Sequence, residues 1–474
     1  MSPGAPAISI IDALQDPNLI GAAFPNLTSW NSWITALKAA YGLQLDEGEL
    51  SLFCQCTGRE NPPTAPAKEL YFIVGRRGGK GRITAAIGVF LAAFQDYSKI
   101  LAPGEEGLLP IIASDRDQAR IVLNYCRDIF LQSPILKKLP LNDDLTWEIP
   151  LRNKVSIRVM TASKAAIRGY TLVGAVLEET AYWRVEGANP DLEIVRALRP
   201  GRLTTKGPLV VISSPYRRVG VLWEAFRRYY GQEQDGRALV WQAGSLTMNP
   251  TLDREEIEEE MRLDPEATAA EYEAQFRSDL EDYLPWEVIE GSTVAGRYEV
   301  PYMDDVKTYA AFVDMSGGRQ DAAALAVAHL EGQQIILDLG RRWKAPHDPS
   351  IVVMEMASVL KSYHLSRVRG DKYAGSWPQA EFAKHGIRYE GSEMSKSDLY
   401  LEFVSLIMSG RVDLLEIKQL QNELRGLERR TRSGGKDSVD HGPRGSDDLA
   451  NAVVGACVLV GSRVSRPIPR VRWL

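Results

Sequence analysis

Five apolar runs of strand length, spaced by helical stretches, constrain the fold of this chain more than any other feature. They are YFIV (71–74), LLPIIAS (108–114), KVSIRVM (154–160), LVGAVL (172–177) and PLVVISS (208–214). Short apolar strands alternating with helices predict an α/β domain with a mainly parallel sheet, placed at 71–282. Residues 1–70 read as a helical lead-in that ends in the Pro-rich connector NPPTAPAKEL. The acidic run REEIEEEMRLDPEATAAEYEAQF reads as a solvated helical face. Irregular, Pro- and Gly-punctuated sequence then predicts a linker at 283–308. A second pattern covers 309–462. Three consecutive strands (TYAAFVDMSGG, AALAVAHLEG, QQIILDLGRRW) precede a helix at 350–363, a strand at 366–371, a helix at 377–385 and a strand at 387–390. The last strong helix is DDLANAVVGACVLVG, and this order predicts a mixed sheet. The tail at 463–474 carries Arg463, Arg466, Arg470 and Arg472 and no acid.

A chain of 474 residues is long enough for two or three domains. Its net charge of −6 argues against nucleic-acid binding through overall charge and leaves room for local basic patches. Four cysteines make no disulfide framework, and Cys54 and Cys56 form a lone C-x-C that reads as reduced thiols. The N-terminus lacks a basic segment before an apolar one, and no apolar run reaches membrane-spanning length. A soluble, cytosolic chain with no membrane partner is expected.

The first run leads into GRRGGKGRIT (75–84) and then into an apolar helix. Strand, glycine-rich turn, lysine and helix make a phosphate cradle: backbone N–H groups and a helix N-terminus face the anion, and the lysine neutralises it. Candidate nucleotide-binding residues are Gly75, Arg76, Arg77, Gly78, Gly79, Lys80 and Gly81. The strict G-x-x-x-x-G-K-[ST] pattern fails twice, because Val74 stands at the first glycine and Gly81 at the hydroxyl. Thr84 is the nearest spare hydroxyl, at the wrong offset for direct replacement. LVGAVLEETAYW ends a strand in Glu178 and Glu179. One acid there can hold magnesium and the next can polarise an attacking water, which assigns metal binding to Glu178 and catalysis to Glu179. Glu178 reaches one methylene further than an Asp, enough to serve a metal that has lost its hydroxyl ligand. Ser213 and Ser214 end another strand, where hydroxyls can sense a terminal phosphate. Each motif alone is also compatible with a polar turn.

The second half carries acids in a suggestive order: Asp314 in its first strand, Asp371 at the end of the strand SRVRGD, and Asp447 and Asp448 opening the last helix. Carboxylates converging on one sheet edge can hold two Mg2+ or Mn2+ ions about 3.5–4 Å apart, activating water and stabilising the leaving oxygen of a phosphodiester. Asp448 could equally be a helix cap; between it and Asp447, Asp448 is favoured as the third ligand. None of the five His pairs at zinc spacing. The Gly-rich, charged stretch RRTRSGGKDSVDHGPRG (429–445) reads as an exposed loop or hairpin, and its basic groups and the Arg tail can hold a phosphate backbone.

Strand-loop-Lys80, strand-Glu178-Glu179 and strand-Ser213-Ser214-Pro215, in that order and followed by the acid-bearing half, resemble the large terminase subunit of tailed bacteriophages. The resemblance runs from about Leu50 to about Val460. It implies an N-terminal P-loop ATPase domain and a C-terminal ribonuclease H-like nuclease domain. It makes Arg76 the arginine that reaches the phosphates in cis, IIASDRDQAR (111–120) the next strand-turn-helix, and Ile167-Arg168-Gly169 a recurrent Arg-Gly. Gln55 falls in an adenine-contacting segment, and Asp321 falls where relatives carry an acid. The family's final motif often reads HDDL-xx-A; here Ser446 replaces the His, with His441 nearby. The implied activity is ATP-driven translocation of double-stranded DNA into a procapsid, with endonuclease cutting of concatemers. The implied cofactors are ATP with Mg2+, and Mg2+ or Mn2+ at the nuclease. The implied partners are a small terminase subunit and a portal protein, in the cytoplasm of an infected bacterial host. The chain would form a homo-oligomeric ring on the portal, compatible with a monomer in solution. Two other readings stay open: a helicase-like ATPase whose second domain binds DNA without cutting it, and a non-catalytic assembly protein.

Overall fold

The computed structural model describes residues 8–141, 146–162, 169–183, 190–233, 236–306, 308–319, 321–371, 377–430, 437–442 and 445–462. Ile167, Arg168, residues 431–436, Arg444 and the Arg tail lie outside this set. The chain divides into two compact units, Met1–Ser278 and Asp279–Leu474. It is α/β throughout, with a mostly parallel sheet in the first unit and a mixed sheet in the second.

The first unit is built on eight strands: β1 (Glu69–Val74), β2 (Gly107–Ala113), β3 (Glu148–Pro150), β4 (Val155–Thr161), β5 (Thr171–Leu172), β6 (Ala175–Glu178), β7 (Leu209–Ser213) and β8 (Ala238–Ala243). Their order is β3-β4-β2-β6-β7-β1-β8, with β5 paired to β2. Every pairing is parallel except that of the edge strand β3 with β4. Strands β1, β2, β6 and β7 are buried along their whole length and largely apolar, because both faces are covered. Along β1, Leu70, Phe72 and Val74 face one core, and Tyr71 and Ile73 the other. The first core also takes Ile10, Trp33 and Phe53 from the N-terminal helices, so residues before 70 pack against the sheet rather than merely leading into it. Helices α1 (Asn31–Ala40), α2 (Lys80–Ala93) and α3 (Arg116–Gln132) lie on this face.

The second unit begins at Asp279 and takes in the whole stretch 283–308 expected to be a linker. That stretch carries a helix at Trp286–Gly291 and a short strand, β10 (Thr293–Val294), which joins the sheet beside β16 (Val412–Leu415). The other strands of this sheet are β11 (Ala310–Asp314), β12 (Ala323–Glu331), β13 (Gln334–Trp343), β14 (Arg367–Gly370) and β15 (Arg388–Gly391), in the order β10-β16-β13-β12-β11-β14-β15. Strands β11 to β13 form an antiparallel meander, and β14 pairs parallel to β11. Strands β9 (Leu280–Asp282), β17 (Leu427–Arg430) and β18 (Ser438–His441) make a separate three-stranded sheet. Helices α4 (Lys396–Met408) and α5 (Asp448–Gly461) share one core with Phe312 of β11. Gly455 lets α5 approach closely, since a Cβ there would lie 2.3 Å from the Phe312 ring.

Candidate functional sites

Because β6, β7 and β1 are consecutive neighbours and parallel, whatever follows each strand emerges on one edge of the first sheet. The loop 75–79, the Glu pair and the Ser pair therefore meet. Gly79 caps α2 with φ +85°, a left-handed conformation that suits glycine, and a Cβ there would lie 2.9 Å from the Trp30 ring. Trp33 donates its indole N–H to the Gly78 carbonyl at 2.7 Å. On the other side, Ser245 Oγ donates to the Arg76 carbonyl at 2.6 Å and Asn249 Nδ2 to that of Arg77 at 3.0 Å. The loop is thus shaped from both flanks before any ligand arrives.

Lys80 is buried, and its ammonium donates to the carbonyls of Val74 and Gly75 at 3.2 Å each and to Ser214 Oγ at 2.7 Å. Glu179 Oε1 lies 3.5 Å from it. The other oxygen, Oε2, accepts from Ser213 Oγ at 3.1 Å and from the Ser214 N–H at 3.2 Å. Glu179 holds a left-handed backbone, φ +50°, which costs a non-glycine residue on the order of 1 kcal/mol and persists only where surroundings enforce it. Its N–H donates to Ile212 at 2.8 Å, tying it to β7. Glu178 is buried, and its carboxyl is pushed up to about 8 by burial and by the adjacent Glu179, with Lys80 opposing. A Cβ on Gly81 would lie 3.3 Å from the Tyr125 ring of α3 and 3.8 Å from Glu178 Oε1. An aromatic edge and a carboxylate therefore border the space where a Ser or Thr would project.

Arg76, expected at the phosphates, pairs instead with Glu271 at 2.9 Å, and that hydrogen bond raises its pKa further. Thr84 is buried with no partner for its hydroxyl among the described residues. Gln55 is exposed, and its carbonyl accepts from Tyr230.

The second site follows from the pairing of β11 with β14. Val313 sits beside Gly370, so Asp314 and Asp371 leave the sheet side by side. Helix α5 delivers one amide to both: Asn451 Nδ2 donates to Asp314 Oδ2 and Asp371 Oδ2, each at 2.9 Å. Burial pushes Asp314 well above the carboxylate range; the Asn451 amide opposes that, and the charges of Asp371, Asp448 and Asp447 add to it. Burial raises Asp371 as well, opposed by Asn451 and Lys396.

Asp447 and Asp448 are engaged differently. The Asp447 carboxylate is gripped by the first turn of α4, with Lys396 Nζ 2.9 Å from Oδ1 and 2.7 Å from Oδ2, and the Tyr400 hydroxyl 2.8 Å from Oδ2. Burial alone would depress the Lys396 ammonium, but its contact with Asp447 holds it above its ordinary value. Asp448 accepts from Arg342 at 3.0 Å; its pKa is raised by burial, with Arg342 opposing and the charges of Asp447 and Asp321 adding. Asp321 itself is exposed, as is Ser446. His441 lies with Asp440 and Asp447 in a group whose ligand atoms all fall within 4.8 Å of one another.

The donor sets of both edges are oxygen-rich and suit hard divalent ions. Asp314 and Asp371, buried side by side, fit such an ion, because a cation between them would offset the cost of burying their charged forms. Glu178 fits as a metal-binding acid on the same ground. The sequence missed Asn451, Lys396, Tyr400, Trp33 and Tyr125. Asn451 had a signal, as the lone polar residue in the apolar run LANAVVGACVLV. Lys396 had none, since its partner is distant in sequence.

No protein-family model and no curated protein matches the chain. Solved structures similar to it include the HK97 bacteriophage large terminase, with 17% identity, 87% of this chain and 95% of that chain covered, and a TM-score of 0.37. A large terminase from a thermophilic bacteriophage shows 12% identity, with 89% and 97% covered and a TM-score of 0.39. The large terminase nuclease of thermophilic phage G20c shows 20% identity, with 36% and 95% covered and a TM-score of 0.32.

Proposed function

We propose that the chain is a DNA-packaging motor, an ATPase in its first unit and a divalent-metal endonuclease in its second. The observation that supports this most is the meeting of Lys80, Ser214 and Glu179 from three adjacent strands on one sheet edge. A bound nucleotide draws the Lys80 ammonium from the carbonyls of Val74 and Gly75 toward phosphate oxygens. Glu179, fixed through Oε2 by Ser213 and Ser214, has Oε1 beside Lys80, and the move of that ammonium to phosphate releases Oε1 to orient the attacking water and hold its proton. Ser214 touches the lysine through its hydroxyl and the glutamate through its N–H, so a change at the phosphate reaches the strand. Glu178 would hold Mg2+, which when bound neutralises phosphate charge.

In the second unit Asp314 and Asp371 would hold the Mg2+ or Mn2+ that activates water against the DNA backbone. Double-stranded DNA, a small terminase subunit, a portal protein and a ring of copies on that portal, inside an infected bacterial cell, complete the reading. Among the described residues no helix is long and apolar enough to cross a membrane.

ATP turnover and plasmid cleavage test the reading together. Lys80→Ala and Glu179→Gln are expected to lower ATP hydrolysis at least ~100-fold, on the order expected of a lost phosphate or catalytic-base contact, with cleavage intact. Asp314→Ala is expected to abolish Mn2+-dependent cleavage with ATP turnover intact. Hydrolysis indifferent to Lys80 would leave an assembly protein. Cleavage absent from the unaltered chain would leave a helicase-like ATPase.

A further inference from the structure

We propose that the Lys396 ammonium is a built-in cation at the second site. It takes one of the two positions that a two-ion nuclease fills with metal, so this edge binds a single divalent ion, between Asp314 and Asp371. The inference rests on the nuclease reading of this unit and narrows it.

A carboxylate that serves two metal ions must offer a free lone pair to each. Asp447 has little to offer. Both of its oxygens lie within 2.9 Å of Lys396 Nζ, and Oδ2 also accepts from Tyr400. The residue is 4% exposed, so no rearrangement toward solvent is open to it. A divalent ion at this carboxylate would have to expel the ammonium or sit against it.

The lysine is held where the fold disfavours it. Lys396 is the first residue of α4, at the positive end of the helix dipole, where acids are preferred. Asp447 and, at 3.4 Å, Asp440 offset that cost. The Val439 N–H donates to Ser397 Oγ at 2.9 Å and ties β18 to the same turn. The Asp440, His441 and Asp447 group is therefore one in which Lys396 already sits on two members.

Asp314 and Asp371 present the contrast. Among the described residues neither pairs with a lysine or arginine, and the neutral Asn451 amide is what they share. That pair is free for a divalent ion. Of the three donors on Lys396, the one facing Asp440 makes the longest contact, and 32% of the side chain is exposed. A DNA phosphate oxygen can take that donor in place of Asp440.

Mn2+ binding to the full chain without nucleotide, followed by calorimetric titration and by the electron paramagnetic resonance of the bound ion, tests this. The unaltered chain is expected to bind one Mn2+ that Asp314→Asn removes, with the spectrum of an isolated ion. Lys396→Met and Lys396→Gln, each checked for folding by circular dichroism, are expected to bind a second ion at least ten-fold more tightly, with the splitting of a coupled Mn–Mn pair. Two coupled ions in the unaltered chain, both lost in Asp447→Asn, would overturn the proposal and leave the nuclease reading standing. One ion in both Lys396 variants would also overturn it. No ion sensitive to Asp314 would remove the nuclease reading and the proposal together.

Discussion

At the scale of single residues, the departure at Gly81 and the burial of Glu178 belong to one arrangement. The place of the missing hydroxyl is bordered by Tyr125 and by the Glu178 carboxylate, so the acid stands where the lost ligand would have pointed. The same burial makes Glu178 a pH-sensitive weak point of the ligand-free protein. Its folded pKa of about 8 lies above its unfolded value near 4.5. Between those values the folded state keeps a proton that the unfolded chain releases, so stability falls as pH rises, by at most about 1.4 kcal/mol per unit. The contribution is complete below the unfolded value and gone above the folded one. Glu178→Gln cannot ionise. In EDTA and without nucleotide, its melting temperature is expected to gain on that of the unaltered chain between pH 5 and pH 8 and then level off. A difference that stays constant over pH 5–9 would show that Glu178 is not held protonated.

At the scale of elements, α5 places the second site, and its seating depends on Gly455. A Cβ there would press to 2.3 Å on the Phe312 ring. Gly455→Ala gains about 1 kcal/mol of helix propensity but overpacks a dense core, which typically costs about 1–3 kcal/mol and can cost more. Net destabilisation in urea is expected, together with weaker Mn2+ binding, because Asn451 lies one turn earlier on the helix. Equal stability with unchanged Mn2+ affinity would mean that the sheet yields without moving the site. This element was legible in sequence: the run LANAVVGACVLV is too apolar to be anything but a core helix, and the acids before it mark its start. Strands β1, β2, β4 and β7 of the first sheet were legible as apolar runs, whereas the run LVGAVL divides between β5 and β6, and β3 and β8 were not singled out. The helix at Trp286–Gly291 and the two-residue β10 were not legible, because neither is long enough to show a period. Trp33 against Gly78 and Lys396 against Asp447 were also hidden. Each joins residues that only the folded chain brings together, so neither leaves a local pattern.

At the scale of the whole molecule, each unit carries its own sheet with a hydrophobic core on both faces, and each of the two candidate sites lies within one unit. Two cores of that kind are expected to unfold as two cooperative transitions. A ligand stabilises only the unit whose folded form binds it, by about 2.7 kcal/mol at a concentration 100 times its dissociation constant. For units of this size, roughly 2–4 °C per kcal/mol gives a shift of about 5–10 °C. Scanning calorimetry with MgADP is therefore expected to raise one transition and leave the other in place. MnCl2 without nucleotide is expected to raise the second alone. Lys80→Ala should abolish the first shift and spare the second, and Asp314→Asn should do the reverse. A single transition that both ligands raise, or either variant cancelling both shifts, would show that the two units do not behave as separate folding bodies and that the two sites cannot be assigned to them independently.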